Sequence, residues 1–215
     1  SHGQTIRHRP NRPQPFSLQI GDPNIIADKT GITTVADFRR RDVAKGGQGA
    51  PLAPIYHEAL VRYSKLEGRI AVLNIGGVSN VTAIEDGKII WATDCGPGNG
   101  PLDSWISKHT PQQYDKGGKF SVAGVTDHIL VNQWLKRDFF DRAVPRSADR
   151  YDFDVINQLA DKTTADGAAT LASFCAQAIA QDLNTFKSDK VIVCGGGRKN
   201  PAIMGMLDMH IDAQI

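Results

Sequence analysis

Three times in this sequence an apolar run empties directly into a glycine-rich turn that also carries an asparagine. The strings are Leu73-Asn74-Ile75-Gly76-Gly77-Val78-Ser79-Asn80, Thr93-Asp94-Cys95-Gly96-Pro97-Gly98-Asn99 and Val193-Cys194-Gly195-Gly196-Gly197-Arg198-Lys199-Asn200. Glycine lacks a Cβ, so the backbone can approach a ligand closely and reach positive φ. Successive N–H groups can then face one concavity and cradle phosphate oxygens. Helices expected after the second and third loops add a positive N-terminal end. Taken singly, each loop reads equally well as a tight turn; three of them with asparagine partners point toward an anion. Two common phosphate sites do not fit. Gly96-Pro97-Gly98-Asn99-Gly100 is not GxGxxG, and the strand before it belongs to a hairpin. No GxxxxGK[ST] string occurs, since Lys119 is followed by Phe120.

Periodicity places these loops in an α/β chain. The polar, Pro-rich stretch to Pro15 reads as loop, and Phe16–Ile20 alternates like a strand. A short helix over 24–29 stops near Gly31, and Thr33–Ala36 has β character. A helix is predicted over Pro54–Tyr63, ended by Gly68. Ile70–Leu73, Val78–Ile84 and Ile89–Ala92 then form a meander, with Asp86-Gly87 as its tight turn. Helices follow over about 102–108, 126–136 and 154–160, while 114–124 reads as loop. A long helix over 164–186 carries Ala172, Cys175, Ile179, Leu183 and Phe186 on one stripe, behind a capping box at Thr163 and Asp166. Val191–Cys194 is a short buried strand with a helix after Asn200-Pro201. The expected division is 1–66 and 67–215.

Composition narrows the function. Lys and Arg number 25 against 23 Asp and Glu, a net charge of +2, with no basic patch interleaved with aromatics. Binding to nucleic acid by electrostatics is not expected. The apolar runs are too short to span a membrane. The cysteines, Cys95, Cys175 and Cys194, are widely spaced, as suits a reducing compartment, and no His-x-x-x-His is present.

Outside the loops, Asp42 stands out. It follows Arg39-Arg40-Arg41 and precedes the flexible Gly46-Gly47-Gln48-Gly49 segment. A carboxylate so placed can accept a proton from a hydroxyl or water; a surface ion pair is the plainer alternative. His2, Gln4 and Arg7 could hydrogen-bond a sugar, or form a solvated terminal segment.

The strings Ser1–His8, Asp37–Asp42 with Gly46–Leu52, Asn74–Asn80, Asp94 with Gly96–Asn99, and Gly195–Asn200 resemble, in order, the anhydro-N-acetylmuramic acid kinase family. That resemblance implies a two-domain sugar kinase/actin-like (ribonuclease H-like) α/β fold closing on ATP, with Mg2+, in a cytoplasmic bacterial homodimer of peptidoglycan recycling. The implied reaction opens the 1,6-anhydro ring with water and phosphorylates the 6-oxygen, giving N-acetylmuramate 6-phosphate. By position, Asp42 matches the base. Asn74, Gly76, Gly77, Ser79 and Asn80 match a phosphate loop, and Gly96, Gly98 and Asn99 lie by the phosphates. Gly195, Gly196, Gly197 and Asn200 border adenosine; His2, Gln4 and Arg7 border the sugar; and Asp94 reaches the metal through water. The family's first phosphate loop and a C-terminal substrate glutamate have no counterpart in these 215 residues. The chain therefore reads as a fragment or an incomplete sequence, and a non-catalytic nucleotide- or sugar-binding module is the alternative.

Overall fold

The computed structural model describes residues 1–149 and 151–215, which form two compact units, Ser1–Leu52 and Ala53–Ile215. The division falls ahead of the boundary expected at residue 66, because the helix over 54–63 packs on the sheet of the second unit.

In the first unit, β1 (Gln4–Arg9) pairs antiparallel with β2 (Phe16–Ile20), followed by α1 (Pro23–Thr30) and α2 (Arg40–Ala44). The loop expected before Pro15 is thus half strand. Its polar residues hid the pairing, which comes from β2 offering a full ladder and from His8 and Ser17 burying as a pair 2.9 Å apart. Asp22 caps α1 by accepting from the Asn24 amide, and Gly31 ends it at φ 66°. Thr33–Ala36, expected to be β-rich, is irregular.

The second unit is built on a four-stranded sheet. It begins with α3 (Pro54–Tyr63), then β3 (Arg69–Ile75), β4 (Val78–Glu85) and β5 (Lys88–Pro97) as the expected meander. Asp86 and Gly87 make its turn with φ 49° and 73°. After α4 (Gly100–His109), α5 (Lys119–Ala123), α6 (His128–Trp134) and α7 (Thr164–Phe186), β6 (Lys190–Cys194) returns parallel to β3, and α8 (Pro201–Asp208) follows. The sheet order is β5-β4-β3-β6. Residues 156–159 form a 3₁₀ turn where a helix was expected, and α5 with the 3₁₀ turn before it occupies the stretch read as loop.

Both sheet faces are covered, which is why β3 reads as a continuous apolar run. Ala71, Leu73 and Ile75 face the main core with α7. Ile70 and Val72 face the other way, with Val61 of α3 and Ile84. The predicted stripe of α7 is buried from Ala172 to Phe186, and Thr163 caps it by accepting from the Asp166 amide at 3.1 Å. On that side α4 approaches closely: a Cβ on Gly167 would overlap the Trp105 indole, whose Nε1 donates to the Thr164 carbonyl at 2.9 Å. This parallel β3–β6 pair brings the first and third glycine loops to the same sheet edge.

Candidate nucleotide and sugar sites

The glycine loops of the second unit hold one another. The amides of Gly98 and Gly100 donate to the Gly77 carbonyl at 3.0 and 3.1 Å, and that of Asn99 to the Gly76 carbonyl at 2.8 Å. A Cβ on Gly98 would overlap the Gly76 carbonyl oxygen. Glycine is needed there for contact between loops, and the Gly98 and Asn99 amides expected beside phosphates are already engaged. Ser79 is buried, and its hydroxyl donates toward the Gly96 and Pro97 carbonyls at 3.2 and 3.0 Å. It braces the second loop from below. Gly195, at φ 86°, passes over the end of β3, where a side chain would strike the Ile75 carbonyl and the Asn74 side chain. Asn74 and Asn80 face each other across β3 and β4, and Asn80 faces Asp94 across β4 and β5.

A cavity of about 340 Å³ opens between the second and third loops, with Asn99, Asp103, Tyr114, Gly117, Gly196 and Asn200 among its walls. Asn200 is buried and structural. It caps α8 by accepting from the Ala202 amide at 2.9 Å and donates to the Ser121 hydroxyl at 3.2 Å. Ser121 in turn is held by Asp115, whose carboxylate also accepts from the Phe120 and Ser121 amides at 2.9 and 3.0 Å. This chain fixes the third loop to the start of α5. Asn99 donates from Nδ2 to Asp103 at 2.9 Å. Burial raises the Asp103 pKa, and the Asn99 bond only partly offsets that rise while the Asp115 charge adds to it.

Asp103, Tyr114, Asp115 and Gly117 went unassigned in the sequence. The available signal was the Gly117-Gly118 pair, with φ 66° and 68°, behind an acidic residue. Asp94 is buried, its amide donating to the Arg146 carbonyl and its carboxylate accepting from the Ala148 amide at 2.8 Å. A carboxylate so engaged suits an outer-sphere contact to a metal better than direct ligation. Among the described residues no three His, Cys, Asp or Glu side chains gather to hold a metal. Mg2+ beside phosphates needs no such cage, since one or two carboxylates, phosphate oxygens and water complete its shell. None of the described helices is long and apolar enough to cross a membrane.

In the first unit, Asp42 lies on α2 with its carboxylate exposed yet held. Its Oδ2 accepts from the Gly49 amide at 2.7 Å, and Gly47 passes so near that a Cβ would overlap it. The Gly49 carbonyl accepts from Arg39 Nη1 at 2.7 Å, and Arg39 Nε donates to His2 Nε2 at 2.7 Å. With Nδ1 facing the Gly3 carbonyl at 2.7 Å, His2 is the Nδ1–H tautomer. His2 and Asp42 are thereby joined through Arg39 and Gly49. A cavity of about 170 Å³ has His2, Gln19, Asp37 and Arg39 in its wall. Gln4 and Arg7 lie on β1 and do not line it. The Arg40 guanidinium, 2.6 Å from Asp37, lowers the Asp37 pKa.

A profile of the family described as anhydro-N-acetylmuramic acid kinase matches residues 1–214. The anhydro-N-acetylmuramic acid kinase of Pasteurella multocida (strain Pm70) is 44% identical over 96% of this chain and 56% of its own length. That of Haemophilus influenzae (strain Rd) is 40% identical over 100% of this chain and 61% of its own. The chain thus spans under two thirds of the length of these curated relatives. Among solved structures, the activator of the 2-hydroxyisocaproyl-CoA dehydratase from Clostridium difficile with bound ADPNP matches with a TM-score of 0.48 and 15% identity, over 74% of this chain and 57% of that one.

Proposed function

The chain belongs to the anhydro-N-acetylmuramic acid kinase family, and on that premise we propose that the native protein is an ATP-dependent kinase of anhydro-N-acetylmuramic acid with the two-domain sugar kinase/actin-like fold. Water adds across the C1–O6 bond of the anhydro ring, the released 6-oxygen takes the γ-phosphoryl group, and the products are N-acetylmuramate 6-phosphate and ADP. The observation that carries this reading is the set of interlocked glycine loops at the ends of β3, β5 and β6, bordering a cavity of about 340 Å³.

The residue roles follow the family resemblance, and the local geometry supports them at Asp42 and at the glycine loops. Asp42 accepts the proton from the attacking water, its carboxylate oriented by the Gly49 amide and by the close passage of Gly47. His2, held by Arg39 in the wall of the smaller cavity, faces the sugar; Gln4 and Arg7, on β1 and outside that wall, are given to the sugar by the family resemblance alone. Gly76 and Gly77, with Asn74, Ser79 and Asn80, form the phosphate turn. Gly96 and Gly98 let the second loop close against it, and Gly195, Gly196, Gly197 and Asn200 border the adenosine. Asp94 would hold Mg2+ through water, and the metal, when bound, would supply charge neutralisation for the transferring phosphoryl group. The cellular setting is recycling of the cell wall by a bacterial cytoplasmic homodimer.

The test is direct. The full-length protein, given the anhydro sugar and MgATP, forms ADP and a phosphorylated sugar in equal amounts. Nucleotide binding without product under any of these conditions would instead identify a non-catalytic nucleotide-binding module.

A further inference from the structure

The Asn99 carboxamide is left with one polar atom unsatisfied. Its Nδ2 donates to Asp103, a carboxylate that can only accept, so the amide's orientation is fixed and Oδ1 points the other way, toward Gly197. Oδ1 is buried and has no hydrogen-bond donor among the described residues. An acceptor left so costs about 1–3 kcal/mol, unless something else donates to it. Asn99 and Asp103 both line the cavity of about 340 Å³, so the missing donor belongs to what that cavity takes.

The chemistry of an adenine nucleotide limits the choice. Its ionised phosphates offer no donor. Its donors are the exocyclic amine of the base and the 2′- and 3′-hydroxyls of the ribose. The backbone places Asn99 next to the phosphate turn, since its amide is bonded to the Gly76 carbonyl at 2.8 Å. The ribose lies between phosphates and base, and the base lies one sugar further out. Asn99 and Asp103 line one cavity and present two acceptors, Oδ1 on the Gly197 side and the Asp103 carboxylate beyond Nδ2, so that each can take one hydroxyl of a diol.

We propose that Asn99 and Asp103 grip the ribose diol of the nucleotide and make the site selective for ribonucleotides. This rests on the nucleotide reading above and moves Asn99 from the phosphates to the sugar of the nucleotide. Asp103 is a binding residue that no sequence motif singled out. Its role is ground-state binding, so its loss acts on KM for nucleotide and spares kcat.

The test measures binding and turnover of the native full-length protein with ATP, 2′-deoxy-ATP and 3′-deoxy-ATP. The unaltered protein is expected to favour ATP over each deoxy analogue by about tenfold or more, because each analogue leaves an acceptor unpaired. Asp103→Ala is expected to weaken ATP by about tenfold, together with the one deoxy analogue that keeps the hydroxyl facing Asp103, while changing the other analogue little, so that the preference of ATP over that other analogue collapses. Asp103→Asn, which keeps the shape, is expected to fall between. Equal affinity of the unaltered protein for all three nucleotides overturns the diol assignment and leaves the kinase reading standing; this arm needs no variant to fold. A loss in Asp103→Ala and Asp103→Asn that is the same for all three nucleotides also overturns it, since that is a structural effect. Failure of the unaltered protein to bind any nucleotide overturns the kinase reading together with this assignment.

Discussion

A carboxylate that already accepts a backbone amide is directional in a way a free surface aspartate is not. Asp42 is such a group, with Gly49 fixing Oδ2 and Gly47 closing one side. Asp42→Asn in the full-length protein is expected to lower kcat by about 10²–10⁴-fold, the usual worth of a general base, with nucleotide affinity unchanged; steady-state kinetics beside calorimetric titration check both. Replacement of Gly47 by Ala is expected to act in the same direction by displacing the carboxylate. His57 gives a pH prediction. It is buried, Nδ1 lies 2.8 Å from the Thr82 hydroxyl, and burial lowers its pKa from 6.5. The folded state then binds fewer protons than the unfolded one, so His57's contribution is present above pH 6.5 and fades as pH falls below it through the lowered value. Denaturant melts between pH 7.5 and 5.5 are expected to show a smaller acid loss in His57→Gln than in the unaltered protein. At this scale the sequence exposed Asp42 by its neighbours. Asp103 stayed hidden because its meaning depends on Asn99 four residues earlier and on the third loop, which only the fold brings near.

Among the elements, the meander and α7 were legible because periodicity, an Asp-Gly turn and a capping box all agreed. β1 and α5 were not. Both are short, β1 is polar and α5 has only five residues behind a Gly pair, and each exists because a neighbour completes it: β2 for the strand, and Asp115, Asn200 and α7 for the helix. The glycines of the second loop were legible as special, yet their reason differs from the expected one. Gly98 serves contact with Gly76 more than it offers an amide. Gly98→Ala is therefore expected to separate the two loops, lowering stability by about 1–3 kcal/mol and nucleotide affinity with it. Gly167→Ala, where a Cβ would overlap Trp105, is expected to cost a similar amount and to leave nucleotide affinity per folded molecule unchanged. Thermal melts with and without ATP separate the two variants.

For the molecule as a whole, the two units are unequal. The second has a continuous core between α7 and the sheet. In Ser1–Leu52, Val43 is the one apolar side chain that is fully buried among the described residues, while Phe16, Leu18 and Ile20 stand on one exposed face of β2. So little buried area cannot offset the entropy of ordering the chain. Residues 1–52 alone are expected to show no cooperative melting transition by circular dichroism, whereas 53–215 are expected to melt cooperatively. The division after Leu52 was not legible because Pro54–Tyr63 has the pattern of a helix in either unit; its allegiance comes from His57 and Val61 packing on the sheet. The proposed kinase reaction is most directly tested by running the full-length protein with anhydro-N-acetylmuramic acid and MgATP in 18O-labelled water. The expected result is one ADP per sugar, phosphate on the 6-oxygen, and the label on the anomeric carbon. Binding of nucleotide with the sugar returned unchanged would contradict it.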